Sequence, residues 1–204
     1  SSDLGLEART KLSQQRFLEA LELYGLQARS GDPSAGPSLR IVVREILQAP
    51  EPVLRQAACN PLARRAITAY ILGQNSTVLE WTSRWNDNAA MDDSGVRWLQ
   101  AVEDSGCPVL EGAERFAWLA YHHGDLERAT RWLNRAAPGL PYSRWLRAKL
   151  ALRSGNMELA RTAMSQALAG FSSVDRSPAQ AKACRTVAGE LAALQVQRSE
   201  EHMS

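Results

Sequence analysis

The sequence contains few residues of the types that hold metals or form disulfide frameworks. Only three cysteines and three histidines occur in 204 residues, and no CxxC pair is present. This count excludes a disulfide-dense small domain and gives no zinc-site spacing. An odd number of cysteines leaves at least one unpaired. We expect Cys59, Cys107 and Cys184 to be small buried hydrophobic residues, because free cysteine is one of the most buried residue types.

Lysine is also scarce: the chain contains 3 lysines and 21 arginines. The total of 24 basic and 22 acidic residues gives a formal charge of +2. This near-neutral balance is not the strongly basic composition that marks a nucleic-acid-binding domain. The arginine excess is typical of a GC-rich genome, although arginine also suits interfaces better than lysine does.

Long apolar runs and β alternation are both missing. No stretch approaches the roughly 18 consecutive apolar residues that a membrane-spanning helix needs. Hydrophobic residues make up 45% and charged residues 23% of the chain, which is ordinary globular composition. The sequence starts without Met and without the apolar segment of a signal peptide. We therefore expect a processed module of a longer bacterial chain, located in the cytoplasm or the periplasm.

Apolar residues instead recur at spacings of three and four, which predicts helices throughout. One clear run comprises Leu159, Ala160, Ala163, Met164, Ala167 and Leu168. Residues typical of helix N-caps precede several such runs, namely Asn60, Asp125, Asn156 and Ser177. Turn-forming Gly and Pro clusters divide the chain into segments of helical length. The sequence predicts an all-α fold with about a dozen helices.

Two segments repeat at an offset of 31 residues, over 110–140 and 141–171. The matching positions are Ala117, Gly124, Ala129, Leu133, Ala136 and Pro138 in the first segment, and Ala148, Gly155, Ala160, Met164 and Ala167 in the second. This pattern of small residues around a glycine turn resembles the tetratricopeptide repeat family. A weaker third unit opens the chain, where Ala8 pairs with Phe17, Ala20 and Tyr24.

The resemblance implies a right-handed α-solenoid of antiparallel helix hairpins, forming a single domain over 1–198. A helix over 177–198 would cap the stack, and 199–204 would be a polar tail. Proteins of this family bind peptides on a concave face, so the resemblance implies a protein-interaction scaffold with a peptide or helix as partner. The residues that would face the groove are Glu111, Glu114, Trp118, Tyr121, Tyr142, Trp145 and Lys149.

Six tryptophans are many for this length, and we expect most of them to pack between hairpins. Trp81 and Trp85 are predicted to share one helix face. Charge is uneven along the chain: an acidic stretch over 80–114 precedes a basic stretch over 115–161. These stretches could steer a partner or could be solvated helix faces.

No enzyme motif is present: the sequence lacks HExxH, GxSxG, Walker and dinucleotide-binding patterns. His122 and His123 lie near Asp125, but adjacent helical residues point about 100° apart and cannot easily hold one ion. We expect these histidines at the surface, at a helix C-terminus. The sequence therefore predicts no catalytic residue, metal site or cofactor.

Two alternatives to a peptide-binding scaffold stay open. The chain could be an accessory domain of a larger enzyme or of an envelope or secretion complex. It could also be a helical-repeat nucleic-acid binder, whose basic residues would be Arg128, Arg131, Arg135, Arg144, Arg147 and Arg153.

Overall fold

A computed structural model describes residues 2–74, 93–109, 111–172 and 178–201. Eleven α-helices and no strands occur in these ranges, which confirms the predicted all-α class. The helices are α1 Ser2–Ser13, α2 Phe17–Arg29, α3 Ala35–Gln48, α4 Glu51–Cys59, α5 Pro61–Gln74, α6 Asp93–Asp104, α7 Ala113–His122, α8 Leu126–Arg135, α9 Pro141–Arg153, α10 Met157–Ser172 and α11 Pro178–Glu201. None of the described helices is both long and apolar enough to cross a membrane.

The helices form two compact units, Ser1–Val109 with α1 to α6 and Leu110–Ser204 with α7 to α11. A continuous right-handed solenoid over 1–198 stays a prediction. The tryptophan pair Trp81 and Trp85 and the part of the predicted acidic stretch over 80–92 lie outside the described residues.

The core of the first unit is built from the predicted apolar stripes. Ala8 of α1 packs in the core with Ala20 and Tyr24 of α2, as the helix pairing predicted. The most deeply buried side chains of α3 to α6 include Ile46, Leu54, Ile67 and Trp98. In this core the indole Nε1 of Trp98 donates to Thr68 Oγ1 at 3.0 Å.

Two further contacts fix α6 within the first unit. The guanidinium of Arg97 donates to the backbone oxygens of Leu47 and Ala49, both at 3.2 Å, and forms an ion pair with Glu51. A disulfide joins Cys59, at the end of α4, to Cys107, which follows α6. The prediction of three buried free cysteines was therefore wrong for this pair. Packing of α6 on α4 brings together residues that are far apart in the sequence.

The second unit contains two helix hairpins, α7 with α8 and α9 with α10, at the predicted repeats. Their turns are built in the same way. Gly124 and Gly155 adopt φ angles of 77° and 75°, a left-handed conformation that glycine takes without strain. Asp125 then accepts from the third amide of α8 at 2.9 Å, and Asn156 accepts from the third amide of α10 at 3.1 Å. Both predicted N-caps are confirmed.

Buried alanines lie where the two helices of each hairpin meet. Ala117 and Ala129 in the first hairpin and Ala148 and Ala160 in the second are all fully buried. Small side chains at these positions allow the helices to approach closely. The geometry therefore repeats at the 31-residue offset found in the sequence.

Some boundaries differ from the sequence-based expectations. Helix α3 begins at Ala35 and so includes Gly36 and Pro37, although Gly and Pro clusters were expected to separate helices. Helix α11 continues to Glu201, past the predicted end at residue 198. The predicted cap Ser177 lies outside the described residues, while Asn60 caps α5 by accepting from the amides of Leu62 and Ala63 at 2.9 and 3.0 Å.

Candidate partner-binding site

Six aromatic side chains of the second unit form a continuous group, called here the aromatic cluster. Its members are Trp118, Tyr121 and His122 of α7, Tyr142 and Trp145 of α9, and Phe171 of α10. At its centre the rings of Trp118 and Trp145 meet edge to face, with centroids 5.0 Å apart. This is a preferred geometry for aromatic pairs, and it stabilises the fold by more than the burial of the two rings alone would.

Helical spacing places these residues on one side of each helix. Trp118 lies three and four residues before Tyr121 and His122, so all three project from one face of α7. Tyr142, Trp145 and Lys149 share a face of α9 for the same reason. Because α7 and α9 pack together, the two faces meet.

Hydrogen bonds hold both central indoles in place. Trp118 Nε1 donates to the backbone oxygen of Tyr142 at 3.2 Å, which links α7 to α9. Trp145 Nε1 donates to Glu190 Oε2 on α11 at 2.8 Å. Lys149 Nζ donates to the other oxygen of the same carboxylate. One glutamate therefore binds two residues of α9 that lie about one helical turn apart.

Charged groups of both signs lie near the cluster. Arg153 lies 5.9 Å from the centroid of the Tyr121 ring, and Lys149 lies 5.9 Å from that of Trp145, both within range for cation–π attraction. Arg115 approaches Glu114 at 3.9 Å. The rim thus carries charges of both signs.

Burial changes the proton affinity of two cluster members. Desolvation, with repulsion from His123 and Lys149, lowers the pKa of His122 to about 4. Desolvation raises the pKa of Tyr142, although Arg115 opposes this effect. Both side chains are therefore neutral at physiological pH. The expectation that His122 is simply a surface residue was wrong, because it is only partly exposed and its ring lies 5.6 Å from that of Trp118.

The structure brings five of the seven predicted groove residues together and leaves two apart. Trp118, Tyr121, Tyr142, Trp145 and Lys149 belong to the cluster or contact it. Trp145 is only 8% exposed, whereas the other four are partly exposed. Glu111 is exposed before α7, and Glu114 lies in the first turn of α7, where it pairs with Arg115.

Sequence reasoning missed Phe171 and Glu190. Phe171 is 2% exposed and its ring meets that of Tyr142 edge to face at 4.9 Å. Its position at the end of the second repeat was the available signal. Glu190 lies in the predicted capping helix, and nothing local to the sequence indicates its bonds to Lys149 and Trp145, which lie 41 and 45 positions earlier.

Most arginines proposed for nucleic-acid binding have partners within the chain. Arg128 and Arg131 pair with Asp125 and Glu127 of the same hairpin. Arg144 donates to the backbone oxygen of Gln166, and Arg135 lies over Trp132 at 4.9 Å. Of these contacts, the two carboxylate pairs offset part of the charge that the group presents to a polyanion.

Within the part of the chain that the structure describes, no three His, Cys, Asp or Glu side chains gather as metal ligands.

Comparisons with protein-family models, with curated proteins and with solved structures found no significant match to this chain.

Proposed function

We propose that this protein is a non-enzymatic interaction scaffold of tetratricopeptide-like hairpins, which binds a peptide or helix of a protein partner. The binding surface is the face of the second unit that carries the aromatic cluster. The observation that carries this proposal is the partial exposure of Trp118, Tyr121 and Tyr142 along two neighbouring helices. Aromatic residues of this kind dominate the binding energy of many interfaces.

The cluster suits recognition because its members are already fixed. The hydrogen bond from Trp118 to the backbone of Tyr142 and the packing of both on Trp145 restrict the rings before any partner arrives. A fixed aromatic side chain loses little conformational entropy on binding, so more of its contact energy contributes to affinity.

The charged groups near the cluster can orient a bound partner, but they do not favour a partner of one net charge. Lys149 near the rings pairs with Glu190, and Arg115, which acts on Tyr142, lies 3.9 Å from Glu114. A partner segment with an apolar anchor and charges of both signs fits such a rim. In this proposal the unit is part of a larger bacterial assembly, and an accessory role beside an enzyme or a secretion complex would use the same surface.

Peptide selection followed by affinity measurement tests the proposal. Peptides selected from a displayed library on the whole chain are titrated against wild type, Tyr121→Ala and Tyr142→Ala. The matched control is Tyr70→Ala, which removes a partly buried tyrosine from α5 of the other unit. We expect the cluster variants to weaken Kd by about tenfold, as loss of an interface hot spot does, and the control to bind like wild type.

The proposal is wrong if the selected peptides bind the cluster variants as tightly as wild type. Equal loss in Tyr70→Ala would also contradict it, because the effect would then not depend on the cluster. If no peptide is selected, and the protein binds nucleic acid with an affinity that falls steeply as salt is added, the nucleic-acid-binding alternative would be favoured.

A further inference from the structure

The three cysteines are divided into a bonded pair and one buried thiol. Cys59 and Cys107 have Cα atoms 5.3 Å apart, within the usual range for a disulfide. The third, Cys184 of α11, is only 8% exposed and belongs to the apolar core of the second unit. Every cysteine is therefore either bonded or shielded from solvent.

A contact that does not involve sulfur holds the same two backbone segments together. Arg64 of α5 donates through Nη1 to the backbone oxygen of Ala58 at 3.2 Å and to that of Pro108 at 3.0 Å. These residues are the direct neighbours of Cys59 and Cys107. The guanidinium thus bridges the same two segments that the disulfide joins.

The two bonded cysteines differ in exposure. Cys59 ends α4 and is exposed, whereas Cys107 is partly buried after α6. In thiol–disulfide exchange, the more accessible thiol reacts more readily with an external reagent. Cys184 does not compete for the reagent, because its thiol is buried.

We propose that Cys59 and Cys107 are an oxidation site that matures by exchange with an oxidised disulfide donor, and that the protein folds in an oxidising compartment. The Cys59 thiolate attacks the donor disulfide, which gives a mixed disulfide and releases one donor thiol. The Cys107 thiolate then attacks Cys59 Sγ and displaces the second donor thiol. Two protein thiols are oxidised and one donor disulfide is reduced, so the electrons balance.

The compartment follows from the chemistry of the donor. Structural disulfides persist in the periplasm and outside the cell, whereas the cytosol of most organisms keeps thiols reduced. Of the two compartments that the sequence left open, this inference selects the periplasm or an equivalent oxidising space. It does not depend on the proposed peptide binding.

Thiol counting on the full chain tests the inference. Protein folded with oxidised glutathione is denatured and alkylated, with and without prior reduction. We expect one alkylated cysteine, Cys184, before reduction and three after it. Reduction should lower the Tm by about 10 °C or more, because the bond closes a loop of 48 residues.

Variants separate this effect from general damage. Cys184→Ala should keep the full Tm response to reduction, whereas Cys59→Ala combined with Cys107→Ala should show none. With oxidised glutathione, Cys107→Ala should form the mixed disulfide several-fold faster than Cys59→Ala. Three alkylated cysteines in the unreduced protein, or equal rates for the two single variants, would overturn the inference.

Discussion

At the scale of single residues, His122 is the titratable group that burial affects most clearly. It packs against Trp118 in the aromatic cluster, and its pKa is about 4 compared with 6.5 in an unfolded chain. Between these pH values the unfolded chain binds a proton that the folded protein does not. The free energy of unfolding therefore falls as the pH is lowered from 6.5 to 4, by up to about 3 kcal/mol.

Chemical denaturation at a series of pH values checks this dependence. His122→Gln removes the titrating group, so its stability should change less than that of wild type between pH 6.5 and 4. His123→Gln is the comparison variant: it keeps the His122 imidazole and removes only the weaker repulsion from His123, so it should retain most of the pH dependence of wild type. Identical pH dependence in wild type and His122→Gln would show that other groups cause the loss.

A second prediction for single residues concerns the hydrogen bond from Trp98 to Thr68. Thr68→Val keeps the shape of the side chain but removes the acceptor from a fully buried indole. We expect a loss of about 1–3 kcal/mol in unfolding free energy, the cost of an unsatisfied buried donor. Thr10→Val, at an exposed position of the same unit, should change stability by less than about 0.5 kcal/mol in the same urea titration.

At the scale of elements, the hairpins depend on small residues at the helix crossings. Ala160 of α10 is fully buried where α10 packs against α9. Ala160→Leu should lower the unfolding free energy by about 1–3 kcal/mol, because the larger side chain forces the helices apart. Ala169→Leu is the matched control, since Ala169 lies in the same helix and is exposed. Equal stability of the two variants would contradict close packing at Ala160.

Local signals explain why so much of the element structure could be predicted. The caps Asn60, Asp125 and Asn156 act on amides two or three residues away, so their effect is visible in a short window of sequence. The glycine turns are equally local. Contacts between distant helices carry no such signal, and for this reason the disulfide between Cys59 and Cys107 was not predicted.

The candidate site shows the same difference between features with a local sequence signal and contacts between distant helices. The family resemblance placed Trp118, Tyr121, Tyr142 and Lys149 on one groove; the structure brings them to the aromatic cluster or its edge, and the groove itself stays a prediction. The resemblance could not show that Glu190 of α11 binds Trp145, because that contact depends on how helices pack. Packing also explains why Trp145 is buried while its neighbours stay partly exposed.

At the scale of the whole molecule, positive and negative side chains nearly balance, and several of them lie in local ion pairs. Arg131 with Glu127, Arg161 with Glu158 and Lys149 with Glu190 neutralise one another within the second unit. Surface pairs of this kind add little stability, and each offsets its own charge locally. Partner selection is then expected to rest on the aromatic cluster more than on net charge.

Hydrogen exchange of the complex with a selected peptide shows which helices the peptide covers. We expect the peptide to slow amide exchange in α7 and α9, around Trp118 and Tyr142, and to leave α1 to α6 unchanged. Protection confined to the helices of the first unit, with none in α7 or α9, would contradict the assignment of the aromatic cluster as the binding surface.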